Sequence, residues 1–187
     1  MTLIDNLVLR RPREDDASQI LDLAKDPEVT LWNPLPTVVD RRSALAWCRS
    51  SANWASGAFA TWVAVDGRDN TLVATCSLFD VDREVLTGHI GYRVAAAARG
   101  QGAARVALDA VTVWSFAEFG LIRLELAHSV GNDASCRVAV AAGFAAEGML
   151  RSSHVDGDGV RRDEHIHGRL VGDPAPDFGV FPILQPH

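Results

Sequence analysis

Arg99-Gly100-Gln101-Gly102-Ala103-Ala104 lies between two patterned segments, and its reading governs the rest of the chain. Before it, His89-Ile90-Gly91-Tyr92-Arg93-Val94 reads as an apolar strand. After it, Val106, Ala110, Val113, Trp114 and Ala117 recur at helical spacing up to Gly120. A strand, a glycine-bearing turn and a helix opening in small residues build an anion site. The first helical N–H groups have no intrahelical partner, and the helix dipole adds partial positive charge there. A phosphate-bearing ligand is the implied occupant.

Two nucleotide motifs are excluded by what is missing. A dinucleotide-binding turn places a third glycine where this chain has Arg105, and a triphosphate loop requires Gly-Lys-Ser/Thr, which occurs nowhere. What remains is Arg/Gln-x-x-Gly-x-Gly/Ala, read as Arg99, Gly102 and Ala104. A second segment follows in order. Leu121 to His128 alternates like a strand, and Asn132-Asp133-Ala134-Ser135 opens a further helix with Asn132 as its N-cap. Gly143 is a C-terminal stop, before Glu147-Gly148-Met149-Leu150-Arg151.

These two segments, in this order, resemble the acyl-coenzyme A loop and second half of the GCN5-related N-acetyltransferase family. They are most similar to the branch of ribosomal-protein alanine N-acetyltransferases. The resemblance runs from about Leu7 to Leu170 and is strongest from Gly88 to Arg151. It implies a mixed, mostly antiparallel central sheet with helices on both faces; periodicity alone reaches only α/β or α+β. It implies one domain over residues 1–172, followed by a proline-rich tail at 173–187. The implied activity is transfer of an acetyl group from acetyl-CoA to a primary amine, directly within a ternary complex. The acceptor would be a protein N-terminus or a small-molecule amine.

The resemblance also assigns residues. Arg93, Val94, Arg99, Gly100, Gln101, Gly102, Ala103 and Ala104 would hold the cofactor, and Asn132 would contact its pantetheine arm. Ser135 would place a hydroxyl near the thioester sulfur. Many relatives use a tyrosine as the acid, but Tyr92 is the only tyrosine here, in a strand where its ring reads as core. Relatives in this branch often carry a tyrosine near the end of the last strand, where this chain has His167. His89 stands where many relatives carry a glutamate, and an imidazole suits proton removal from an ammonium near neutral pH. His128 is a second candidate base. The acceptor groove maps to Trp32, Asn33, Trp47, Trp54 and the hairpin His154 to His167, where Asp156, Asp158, Asp163 and Glu164 would attract a cation. His154, His165 and His167 lack a supporting ligand pattern, so no metal is expected.

Composition agrees with a soluble enzyme. The chain has 187 residues, 48% hydrophobic and 22% charged, with formal net charge −6, which argues against nonspecific nucleic-acid binding. Three cysteines without metal-type spacing read as free thiols of a reducing compartment. No secretory signal and no membrane-length apolar run is visible, so a cytoplasmic monomer or homodimer is expected. Further elements are a strand at Leu7 to Arg10, a helix from Arg13 to Lys25, a loop at Trp32 to Pro36 and a helix from Asp40 to about Ala55. Strands at Phe59 to Val65 and Leu72 to Phe79 follow. Asp156-Gly157-Asp158-Gly159 is a hairpin turn leading to a last strand near Val160 to Leu170. Phe178, Val180, Phe181, Ile183 and Leu184 predict a tail that packs. Two other readings use the same turn: a non-catalytic CoA-binding module, and a nucleotide-binding protein.

Overall fold

Trp62 and Val63 are neighbours in sequence, both fully buried, and belong to different cores. A strand buried on both faces needs packed layers on both sides of its sheet. The computed structural model describes residues 2–176 and 183–185 and supplies them. In chain order the elements are β1 (Leu7–Arg10), α1 (Ala17–Lys25), α2 (Pro27–Trp32), α3 (Arg41–Ser51), β2 (Ala60–Asp66), β3 (Leu72–Asp82) and β4 (Thr87–Val94). Then come α4 (Ala103–Phe119), β5 (Arg123–Ser129), α5 (Asp133–Ala141), β6 (Ala145–Val155), β7 (Arg161–Leu170) and β8 (Ile183–Gln185). The eight strands form one sheet in the order β6-β7-β5-β4-β3-β2-β1-β8. Only β4–β5 and β1–β8 pair in parallel.

One face carries α4 and α5. Ala60, Trp62 and Ala64 of β2 meet Val106, Ala107, Leu108 and Val111 of α4 there, with Ala139 of α5 in the same cluster. Val63 and Val65 point to the other face, against Ile20 and Leu23 of α1 and Ala44 and Cys48 of α3. Buried ion pairs lock layers together: Arg10 grips Asp16 through two nitrogens at 2.8 and 2.7 Å, and Arg169 of β7 reaches Asp109 of α4 at 2.6 Å.

The sheet and its two helical layers match the expected class, with three local differences. The first helix begins at Ala17, because Glu14–Asp16 is a 3-10 turn. Pro27–Trp32 is helical: Asp26 accepts from the amides of Glu28 and Val29, and Pro27 occupies the first turn, where its missing N–H costs nothing. The third helix stops at Ser51, short of Ala55. Of the tail, Ile183 and Leu184 lie in β8, which extends the sheet beside β1; Phe178, Val180 and Phe181 lie outside the described residues.

One irregularity positions everything that follows. β4 and β5 pair only at Thr87↔Arg123, Gly88↔Leu124 and His89↔Glu125. Beyond His89 they diverge, and a notch opens in the middle of the sheet.

Candidate active site

The notch widens into a cleft of about 1100 Å³. Its first end is the start of α4. Gly100 and Gly102 take positive φ, 74° and 80°, the left-handed region that glycine enters without strain. Gly102 is the N-cap and contributes no side chain, and the first turn of α4 has no acidic residue. The leading amides of α4 are therefore left for a ligand. Arg99, Gly100, Gly102 and Ala104 line the cleft. Gln101 instead points outward and donates to the Ala97 carbonyl at 2.7 Å, and Ala103 is turned into the core. Those two bear on a ligand through the main chain alone. The Arg99 guanidinium is tied down by the Asp26 carboxylate and by the Val94 carbonyl at 3.2 Å. Asp26 also caps α2, so the turn is tied to the first turn of that helix.

Mid-cleft, the freed edge of β4 offers main-chain groups. The Tyr92 carbonyl accepts from Asn33 Nδ2 at 3.1 Å. The Arg93 side chain is engaged by the same loop, donating to Asn33 O and Oδ1 at 2.7 Å each. Burial pushes its guanidinium down to about 10, still charged at neutral pH. Arg93 and Val94 line the cleft, but Arg93 serves as a fastener of the 33–40 loop. Across the notch, Asn132 caps α5: its Oδ1 accepts from the Ser135 amide at 3.0 Å. That oxygen is committed to the cap.

Ser135 then meets the residue that sequence reasoning set aside. Tyr92 packs its ring against the core, yet its hydroxyl lies 2.9 Å from Ser135 Oγ. Burial, partly offset by the Ser135 hydrogen bond, pushes the phenol up to about 12. At neutral pH it keeps its proton. The Tyr92 hydroxyl also lies 3.4 Å from the Ser135 carbonyl, so it bridges the notch between β4 and α5.

The other end of the cleft holds His89, stacked on Phe79 with ring centroids 5.8 Å apart. Glu125 is its register partner on β5 and is itself held by Arg123 at 2.9 Å. Trp32, Trp47, Glu28, Glu164 and His154 also line the cleft. Trp54 does not belong here: it stacks with Trp62 and Trp114 in the core under α4. The hairpin acids are also mostly spoken for. Asp156 is buried and accepts from Ser129 Oγ at 2.6 Å and Arg162 at 2.8 Å, Asp158 pairs with Arg162 at 2.7 Å, and Asp163 accepts from the Ser152 amide at 2.7 Å. Of the four, Glu164 lines the cleft. His167 is buried on the α5 side of the sheet, where it meets His128.

Residues 6–145 match the family model of the acetyltransferase (GNAT) domain. The probable N-acetyltransferase YjcK of Bacillus subtilis (strain 168) is 36% identical over 106 residues, covering 56% of this chain. The match spans 58% of that relative's own length. Among solved structures, ribosomal-protein-S5-alanine acetyltransferase from Vibrio fischeri superposes with a TM-score of 0.80 at 21% identity, covering 90% of this chain and 94% of that one. Spermidine N-acetyltransferase from Vibrio cholerae, solved with CoA and spermine, gives 0.77 at 19% identity, covering 90% and 97%. At such identities the structural likeness concerns the fold.

Proposed function

The chain belongs to the GNAT acetyltransferase family, and on that premise we propose that it transfers an acetyl group from acetyl-CoA to a primary amine by direct attack in a ternary complex. The observation that carries this reading is the parting of β4 and β5 after His89, which makes one continuous cleft from the uncapped start of α4 to His89. An anionic donor at one end and an amine at the other would meet mid-sheet.

The residues fit such a donor. The leading amides of α4, with Gly100 and Gly102 removing side-chain bulk, would take the pyrophosphate. The open main chain of β4 at Arg93 and Val94, with Asn132 opposite, would take the pantetheine arm. Bound there, acetyl-CoA supplies an activated carbonyl and a thiol leaving group with a pKa comparable to cysteine's, about 8.5, so no strong acid is required. Tyr92 holds its proton and donates to Ser135 Oγ, which leaves the serine proton for the departing sulfur. His89 accepts the proton of the incoming ammonium. An N-terminal amine with a pKa near ~8 is about a tenth neutral at pH 7, while a lysine-like amine near ~10.4 depends far more on such a base.

Phe79 beside His89, with Trp32, Trp47, Glu28 and Glu164 elsewhere in the cleft lining, suits a cationic amine. A protein N-terminus and a small amine share that chemistry. No helix among the described residues is long and apolar enough to cross a membrane, and we place the enzyme in a reducing cytoplasm, where Cys48, Cys76 and Cys136 form no disulfide.

The decisive experiment measures amine-dependent thiol release from acetyl-CoA against a panel of N-terminal peptides and small amines, with calorimetry of CoA, ATP and NAD alongside. Turnover with at least one amine and selective CoA binding are expected. CoA binding without turnover across the panel points to a non-catalytic module, and preferential ATP or NAD binding removes the acyltransferase reading.

A further inference from the structure

Behind the cleft, on the α5 side of the sheet, three potential metal ligands converge that the sequence keeps apart. The β5–β7 register sets His128 directly opposite His165 and Leu126 opposite His167, so His128 and His167 are diagonal neighbours on one face. Their Nε2 atoms face each other at 3.1 Å. Cys136, one residue beyond Ser135 on α5, brings its sulfur to the same point: Sγ and one ring nitrogen from each histidine all lie within 4.8 Å of one another. Among the described residues no other group of three such side chains comes together.

Two facing imidazole nitrogens need something between them, either a shared proton or a cation. Nδ1 of His128 lies 3.1 Å from the Ser129 carbonyl, which places the proton on Nδ1 and leaves the Nε2 lone pair directed at His167. An imidazole fixed in this way by a carbonyl is the usual outer support of a metal-bound histidine. His167 is 1% exposed, and its Nδ1 is buried without a hydrogen-bond partner. A proton at Nδ1 of His167 leaves two bare Nε2 lone pairs converging with a thiol.

We propose that His128 Nε2, His167 Nε2 and Cys136 Sγ form a site for a borderline-soft divalent cation of the zinc class. Tetrahedral zinc with Zn–N of about 2.0–2.1 Å and Zn–S of about 2.3 Å sets its ligand nitrogens about 3.3 Å apart and nitrogen and sulfur about 3.6 Å apart. The nitrogens already stand near that spacing, and a shift of roughly 1 Å by the half-buried cysteine completes it. Binding displaces the thiol proton to solvent and moves the His167 proton from Nε2 to Nδ1. Three protein ligands leave a fourth position for water, and His128 lines the cleft, which gives a route in. The cation would pin the first turn of α5, and with it Ser135, to β5 and β7. This proposal is independent of acetyl transfer.

The test titrates the chelator-stripped full chain with Co²⁺ and then Zn²⁺. One equivalent of Co²⁺ should give a thiolate-to-cobalt charge-transfer band that Zn²⁺ abolishes. Zinc at about 100 times its Kd should raise Tm by about 5–10 °C. Cys136→Ala should remove the band, and Cys136→Ala and His128→Gln should each weaken binding at least 10-fold and lose the Tm shift. His154→Gln, outside the trio, should bind as the parent does. Absence of the band in the parent, or binding that survives both substitutions, overturns the site. Should His128→Gln fail to fold, Cys136→Ala alone decides, because it truncates only a half-buried side chain.

Discussion

At the scale of the residue, the Tyr92–Ser135 pair defines the proposed chemistry. One hydroxyl on β4 and one on α5, 43 positions apart, meet at 2.9 Å. If they act as one donor to the leaving sulfur, Ser135→Ala should lower kcat about 10-fold, the size of one hydrogen bond gained in the transition state. The KM for acetyl-CoA should stay within about twofold. Tyr92→Phe should cost a similar factor, and the double variant less than the product of the two, because the second removal finds the unit already broken. An unchanged kcat in Ser135→Ala, with chemistry rate-limiting, removes the role. On the acceptor side, His89→Ala should lower kcat/KM more for a lysine-like amine than for an N-terminal amine, which needs a base less; an equal or absent effect assigns the proton to water or another group. That Ser135 lines the cleft was legible because its motif carries the family resemblance. Tyr92 was not: strand alternation tells which face a ring lies on, not what its hydroxyl reaches. That the Arg93 guanidinium engages Asn33 was not legible for a similar reason, since the two lie 60 positions apart.

At the scale of the element, the hairpin between β6 and β7 and helix α2 form a single wall. The Gly157 amide donates to the Leu31 carbonyl at 2.8 Å, and a Cβ on Gly157 would stand 1.7 Å from the Thr30 carbonyl oxygen. Main chain meets main chain there, so no side-chain rotation relieves the contact. Gly157→Ala should destabilise by about 1–3 kcal/mol and push the hairpin and α2 apart. The steady-state signature should be a raised KM for the amine with the acetyl-CoA KM nearly constant, since the start of α4 lies at the other end of the cleft. Equal effects on both substrates would show that the wall is not specific to the acceptor. The Asp-Gly-Asp-Gly stretch announced a turn, but not that one of its glycines is required by a helix more than a hundred residues earlier. The acidic hairpin read as an attractant for cations; instead, Asp156 and Asp158 are held by Arg162 and brace that wall.

At the scale of the molecule, the sheet with helices on both faces was legible through the family resemblance, and β2, buried on both faces, shows why two helical layers are needed. The notch and the buried polar contacts depend on strand register and on contacts between distant segments, which no local pattern encodes. Arg169 shows the cost of such contacts: buried in β7, it binds Asp109 of α4 at 2.6 Å and the Ala142 carbonyl at 2.9 Å. Asp109→Asn leaves that cation without its counter-charge and should cost about 3 kcal/mol, measured as a lowered urea midpoint with unchanged slope. The facing histidines set a pH dependence of the whole fold. Burial first, and then neighbouring histidines, lower the pKa of both His128 and His167 below the ordinary value. The unfolded chain therefore binds protons at these rings before the folded chain does, and stability rises with pH across that interval. Their contribution is complete above the unfolded histidine pKa of about 6.5 and declines as pH falls toward the lowered folded values, by at most about 1.4 kcal/mol per pH unit for each ring. Urea midpoints of the metal-free protein should therefore decrease from pH 7 to pH 5. In His128→Gln that decrease should be shallower, because one of the two rings no longer titrates. A parent midpoint that holds constant across this range would mean that the pair is already protonated in the fold, or exposed to water.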